Sequence, residues 1–504
     1  MTDRSRRGRG RRARAEPSGT LGERTAKSGA WAFAANASSR LFTLLMFVVL
    51  ARELSPTAFG VFGIAILVIT GVDEATTTGL REALIHHDDV DVDPFLNTAW
   101  VIQVVRGLLI GGVLFLLAPY AASVFREPSA TTLIRVMALG RVVLGFHNPG
   151  IVYFHKSLDF RGEFVYQFSA SFATFSVALG LGYLWGNVWA LGIAYLVGDV
   201  VRTAVSYAAH DYRPWPEFHL EYARELLGYG KWITGNAILF FLFDRGDDVL
   251  VGWLLSSAAL GYYQFAYRLS NAPASEVSRV VGTVMFPSFS RLQGDPAALR
   301  SAFMRSLQLS TAVTAPMAFG VIAVAPTFVR GVLGPEWVPM IAVLQLLAVF
   351  GLLRSVTTVM GALWRAVGRP DYSTKTSTLK VVLLAVLIYP AILAYGVEGA
   401  ALALTAVYVF PILPLDTYLT VRLIRGTYRS VALELLYPTV AAGVMAAAVV
   451  AVRESLPFAP GLLTLGLLVG VGVVTYVAAV GVLSRGFDWQ VEQNLRWLVR
   501  NVAS

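Results

Sequence analysis

The chain contains no cysteine among its 504 residues. Disulfides, thiolate metal centres and cysteine nucleophiles are therefore excluded. Charge is almost as scarce. Asp, Glu, Lys and Arg make up 14% of the chain, against about a quarter in a soluble protein. No nucleotide-phosphate loop occurs, so nothing marks an ATP-driven motor. No loop between apolar runs is long enough to hold a separate soluble domain. What fills the chain instead is hydrophobic side chains, 56% of all residues. At roughly 20 apolar residues per span, it reads as an all-α polytopic membrane protein with about fourteen transmembrane helices, from 30–51 to 461–483.

The charge that is present is concentrated. Arg4, Arg6, Arg7, Arg9, Arg11, Arg12 and Arg14 crowd an N-terminal tail whose apolar side chains there are no longer than alanine. A disordered cytoplasmic segment resting on anionic lipid is the reading favoured over nucleic-acid binding. The first span ends at Arg52-Glu53 with no small-residue cleavage site, so the tail is not read as a cleaved signal. With the N-terminus in the cytoplasm and the spans alternating, only Arg52, Arg126, Arg330 and Arg453 fall outside. The positive-inside rule then makes both termini cytoplasmic in a multi-pass plasma-membrane protein. His86, His87, Asp88, Asp89, Asp91 and Asp93 share a cytoplasmic loop, but their spacing fits no metal-ligand pattern and a solvated acidic loop is expected. Residues 487–500 alternate at helical spacing and suit an interfacial helix.

One stretch stands apart. Asp244, Arg245, Asp247 and Asp248 interrupt a span that is otherwise apolar from Trp232 to Leu255. A charge near mid-bilayer costs about 2.5–3.5 kcal/mol on insertion scales, so these residues must face one another, a water-filled cavity or a substrate. The aspartates fall at i, i+3 and i+4 and share one helix face. Asp199 and Arg202 suggest an i,i+3 pair, and Asp73 and Glu74 sit low in the second span. Arg135, Arg279 and Arg354 lie close enough to span ends to snorkel. Pro273, Pro316, Pro390, Pro411 and Pro414 mark expected bends.

The chain also repeats itself. Leu54-Ser-Pro-Thr-Ala-Phe-Gly60 joins the first two spans and Leu255-Ser-Ser-Ala-Ala-Leu-Gly261 the seventh and eighth, each followed by an Ala at the same offset. Six spans separate the copies, so both run in the same sense, as in two-lobed transporters whose substrate sites lie between the repeats. The expected divisions are a basic tail (1–28), a six-helix lobe (29–210), a linker (211–230), a second six-helix lobe (231–425), two appended helices (426–484) and an amphipathic tail (485–504).

These residues carry a family likeness. Val49-Leu-Ala-Arg52-Glu-Leu-Ser-Pro56, Asn97-Thr-Ala-Trp100, Leu158-Asp-Phe160-Arg161 and Gly186-Asn-Val-Trp189 occur in that order, followed by Asp248-Val-Leu-Val-Gly252, Ala266-Tyr-Arg268-Leu269, Gly368-Arg369-Pro-Asp371 and Gly396-Val-Glu-Gly399. Over residues 20–425 the chain resembles the Wzx-like polysaccharide flippases of the multidrug/oligosaccharidyl-lipid/polysaccharide (MOP) superfamily, of the exopolysaccharide and teichuronic-acid exporter kind. The resemblance implies a monomer that turns a polyprenyl-phosphate- or pyrophosphate-linked oligosaccharide from the cytoplasmic to the outer leaflet by alternating access. The charge map suits such a substrate. Arg40, Arg106, Arg141 and Arg268 lie within spans, and guanidinium forks are the best phosphate partners that stay charged there. Those four are the expected substrate-binding residues. Asp244, Asp247 and Asp248 are expected to pair with them in the empty cavity or to bind a driving H⁺ or Na⁺, with Arg245 as their internal partner. A cation-coupled drug antiporter of the same superfamily would want an anionic cavity. A membrane glycosyltransferase or polymerase would want outer-loop carboxylates, which are few and dispersed. The reading is therefore a transporter and not an enzyme.

Overall fold

The computed structural model describes residues 21–80, 83–84, 92–156, 160–280, 282, 285–455 and 459–486. The basic tail to residue 20, the acidic-loop residues 85–91 and the expected interfacial helix beyond 486 lie outside the described residues. The long helices are α1 (Leu21–Leu50), α2 (Pro56–Ala75), α3 (Asp93–Val124), α4 (Ser129–Gly145), α5 (Phe160–Trp185), α6 (Trp189–Ala209), α7 (Leu220–Leu254), α8 (Ser257–Val280), α9 (Pro296–Phe328), α10 (Met340–Ala366), α11 (Pro370–Val407), α12 (Leu413–Ile424), α13 (Tyr428–Ser455) and α14 (Leu462–Gly486).

By length and apolar composition, ten of the described helices can cross a membrane, or eleven when α4 and the bent segment Pro149–Lys156 count as one span. This is fewer than the fourteen expected. α7 and α8, which carry the charged stretch, are not among them, and Pro370–Ile424 counts as one run where the sequence suggests two spans. α7 also absorbs the end of the expected linker, running unbroken for 35 residues.

Local chemistry sets the helix ends. Ser55 caps α2 by accepting from the Ala58 amide at 3.3 Å, and Pro56 opens the first turn. Asp295 caps α9 through the amides of Ala297 and Ala298 at 2.9 and 3.0 Å. Pro316 and Pro390 sit inside α9 and α11. The reversal within α11 falls at Gly396, where φ of 60° and ψ of −137° define a backbone only glycine adopts cheaply. Pro411 lies in a π-helical turn, Tyr408–Ile412, between α11 and α12. The motif at Asn97 gains a reason too. Its side chain accepts from the Tyr212 hydroxyl at 2.6 Å and the Trp215 amide at 3.0 Å and donates to Glu217 at 3.0 Å, tying the connection before α7 to the start of α3.

In the first half α3 packs on α4, α5 on both α6 and α1, and α4 on α6; in the second, α8 and α9 pack on α10, and α13 on α9. The halves meet chiefly through α2 against α8 and α7. Here the two repeated hairpins touch reciprocally. A Cβ on Gly60 would lie 1.6 Å from the Ser257 carbonyl oxygen, and one on Gly261 2.2 Å from that of Pro56. Ser257 and Pro56 occupy matching places in the two copies, so each hairpin glycine seats the other copy's turn. Around this contact Phe59, Phe265 and the buried Trp337 form an aromatic cluster with centroids 5.1–5.2 Å from Trp337. The Trp337 indole donates to the Ala51 carbonyl at 2.8 Å. Arg52 donates to the carbonyls of Val332, at 2.6 Å, and Gly331. This end of the bundle is closed by fitted backbone.

Candidate functional site

Away from that closed end the in-span charges gather into two networks. In the first half, the end of α2 brings Asp73 between two guanidiniums. Arg106 of α3 reaches Asp73 Oδ1 at 2.5 Å and also donates to the carbonyls of Asp73 and Thr76, both at 2.8 Å, at the end of α2 where carbonyls lose their i+4 partners. Arg141 of α4 stands 3.4 Å from Asp73 Oδ2 and 4.0 Å from Asp199 of α6. Its guanidinium carbon lies 5.2 Å from the Tyr195 ring centre. Gly140 makes room for Asp199, whose carboxylate would lie 2.8 Å from a Cβ there. Two formal cations thus oppose two formal anions. The contact to Asp199 is loose: Arg141 Nε and Asp199 Oδ2 face each other at 4.0 Å, and both are buried without a hydrogen-bond partner.

The second network surrounds the charged stretch of α7. Arg245 lies 3.3 Å from Asp248 and 3.7 Å from Asp244. The Tyr263 hydroxyl donates to Asp247 at 2.6 Å. From α10, Arg354 donates to the Tyr267 hydroxyl at 2.6 Å and approaches Asp244 at 3.7 Å. Asp244, Asp247, Tyr267, Arg354, Lys380 and Tyr408 enclose a cavity of about 50 Å³. Lys380 rests 5.0 Å from the Tyr408 ring centre. The buried Asp416 shares a second space with Lys380 and Arg354.

The expected residues therefore do not form one cluster. Arg106 and Arg141 come together; Asp244, Arg245, Asp247 and Asp248 come together. Arg40 and Arg268 bridge α1 and α8, and Arg268 also lies within electrostatic reach of Asp248 and Arg245. Arg40 donates to the Ser275 hydroxyl at 2.7 Å, and Arg268 stacks over Phe47 with its guanidinium carbon 4.3 Å from the ring centre. Seven residues separate each pair on each helix, in opposite order, as antiparallel packing requires.

Three readings change. Arg354, expected to snorkel at a span end, lies 3.7 Å from Asp244 of α7 and shares its cavity. Asp199 makes no ion pair with Arg202 among the described residues and faces Arg141. Asp73, left without a partner by the sequence, joins Arg106 to Arg141. Lys380 and Asp416 were missed, although the isolation of Asp416 inside an apolar run is the signal that drew attention to Asp244. Among the described residues no group of three metal-binding side chains occurs.

A family model described as polysaccharide biosynthesis protein matches residues 49–342. The lipopolysaccharide biosynthesis protein WzxC of Escherichia coli (strain K12) is 27% identical over 388 residues, covering 77% of this chain and 78% of its own length. The succinoglycan biosynthesis transport protein ExoT of Rhizobium meliloti (strain 1021) is 26% identical over 60% of each chain. Among solved structures, the lipid II flippase MurJ in an inward closed conformation superposes with a TM-score of 0.69 at 14% identity, covering 90% of this chain and 98% of that one. That likeness establishes the fold.

Proposed function

The chain belongs to the polysaccharide biosynthesis protein family, and from that premise we propose that it is a flippase carrying a lipid-linked oligosaccharide across the membrane for cell-surface polysaccharide synthesis. It is a transporter and not an enzyme. The relatives' names speak for polysaccharide export, and the MurJ-like fold supplies an architecture suited to it. The observation that carries the reading is the Asp73–Arg106–Arg141 network. Two guanidiniums within membrane-spanning helices share the Asp73 carboxylate, and the buried Arg141 Nε, 4.0 Å from Asp199, makes no hydrogen bond. A phosphate or pyrophosphate head can take the place of Asp73 and occupy that donor, and guanidinium binds such oxygens in bidentate fashion without losing its charge.

In this reading the two halves are lobes that rock about the reciprocal Gly60 and Gly261 contact. The hairpin end opens to the outside and both termini face the cytoplasm. Residues 29–210 and 231–425 are the moving units, and 426–484 are appended. Arg40 and Arg268, placed between α1 and α8, are positioned to sense the substrate at the seam. The α7 network, where Asp244, Asp247 and Asp248 lie among Arg245, Arg354 and Lys380, is the place for coupling to H⁺ or Na⁺.

The test is complementation of a strain lacking its own lipid-linked-glycan flippase, at matched membrane levels. Wild type and Arg135→Ala restore surface polysaccharide, because Arg135 lies over Phe115 away from both networks. Arg106→Ala and Arg141→Ala do not. Full rescue by both alanine variants would remove the arginines from the substrate path.

A further inference from the structure

A larger cavity than either charged space lies wholly within the first half. It occupies about 560 Å³ between α1, α3, α4, α5 and α6, inside the range of about 300–1,000 Å³ typical of small-molecule sites. Its wall follows α5 from Glu163 to Ser171, eight residues or about 12 Å of helix. It adjoins the arginine network, because Leu144 on its wall is one helical turn from Arg141.

The lining is polar and carries one guanidinium, Arg202, and one carboxylate, Glu163. Ser39 of α1 and Ser171 of α5 bring their hydroxyls within 2.8 Å of each other across it. Gln167 donates to Glu163 at 2.5 Å, and the other oxygen of Glu163 lies 3.3 Å from the His155 ring. The buried wall atoms without a hydrogen-bond partner include the amide oxygen Gln103 Oε1, which needs a donor, and the guanidinium nitrogen Arg202 Nε, which needs an acceptor. A phosphate could serve Arg202 but could not donate to Gln103, and it would meet the Glu163 carboxylate. A hydroxyl both donates and accepts. A ring bearing several hydroxyls serves the amide, the guanidinium and the serine pair at once.

We propose that this cavity receives the uncharged sugar rings of the glycan head, as a subsite distinct from the arginines that take the phosphate; the inference rests on the flippase reading above. Head-group length is then selected inside the first half, and the lipid phosphate stays at Arg106 and Arg141.

The absence of cysteine makes the test direct. Ser171→Cys places a single thiol on the cavity wall of the full chain, and its rate of reaction with N-ethylmaleimide is measured in membranes. The probes are the oligosaccharide released by mild acid from the lipid intermediate of a flippase-deleted strain that the chain rescues, and inorganic pyrophosphate. The subsite slows labelling several-fold with the oligosaccharide and not with pyrophosphate. In proteoliposomes, Gln103→Ala raises the half-saturating concentration of the lipid-linked oligosaccharide by up to about tenfold, the scale of one lost hydrogen bond. Rescue by wild type with no protection by the oligosaccharide overturns the subsite and leaves the flippase reading standing. Equal protection by pyrophosphate makes the cavity an anion site and also overturns it. If wild type transports no lipid-linked glycan in any strain, the flippase reading fails and the subsite with it.

Discussion

Replacing Asp73 by asparagine leaves the guanidiniums of Arg106 and Arg141 facing one another without the carboxylate between them. A fully buried ion pair that loses one partner costs about 3–5 kcal/mol, whereas exposed pairs contribute about 0.2–1 kcal/mol. The Asp73 and Arg106 side chains are 33% and 29% exposed and that of Arg141 15%, so this cluster lies between those limits. A loss of about 1–2 kcal/mol follows for Asp73→Asn. Removing Arg106 as well should cost less than the sum of the two single changes, since the second change removes a charge that the first left unpaired. The assay is unfolding of the full chain in mixed micelles over an SDS gradient, for Asp73→Asn, Arg106→Gln and the double variant. The expected coupling is about 1–2 kcal/mol, and additivity within about 0.3–0.5 kcal/mol would refute the network. There is a functional counterpart. If a phosphate head displaces Asp73 in transport, Asp73→Asn holds that head longer, so both the half-saturating concentration and the limiting rate fall.

Other consequences can be checked separately. Gly60→Val forces a side chain into the Ser257 carbonyl and opens the hairpin end, so a cysteine at Thr57 should react several-fold faster with an impermeant maleimide than in the Gly60 parent; an unchanged rate would mean that this contact does not close the bundle. Trp337→Phe removes the indole bond to Ala51 and should cost about 1 kcal/mol in the same SDS titration, with no loss if the aromatic packing alone holds the cluster. Glu217, outside the spans, has its carboxyl held below its ordinary value of 4.5 by hydrogen bonding to His219 and then to Asn97. Its folded value is depressed, so its contribution is present above about pH 4.5 and disappears as pH falls through the lower folded value. A carboxyl NMR titration should place its midpoint below 4.5, moving upward in Asn97→Ala, and a midpoint at 4.5 in the wild type would contradict the contact.

The membrane class and the charged stretch were legible because they depend on composition and on the cost of charge in hydrocarbon, both properties of the linear chain. The paired hairpins were legible because Leu-Ser and Gly recur at fixed offsets, and the structure supplies the reason in the mutual seating of Gly60 and Gly261. Partner identity was not legible. Asp199 and Arg202 stand at helical pair spacing, yet the rotation of α6 turns Asp199 toward Arg141. Arg354 lies near a span end in sequence, and only the packing of α10 against its neighbours aims it at Asp244. Which face a helix presents is set by the packing of several elements at once, and periodicity alone gives it only where one face is clearly polar. The break at Gly396 was legible as the boundary between two expected spans, though not the backbone that makes it. Proline is the obvious breaker in a sequence, but a continuous helix can carry it, whereas a backbone at positive φ selects glycine.

The most direct test of the central claim is a flipping measurement on the full chain in proteoliposomes. A polyprenyl-pyrophosphate-linked oligosaccharide is placed in both leaflets, and impermeant periodate added outside reports which sugars it can reach. The account predicts that wild type renders the inner-leaflet pool oxidisable, that Arg106→Ala and Arg141→Ala slow this strongly, and that Arg135→Ala does not. A folded wild-type protein that leaves the inner pool protected would contradict it.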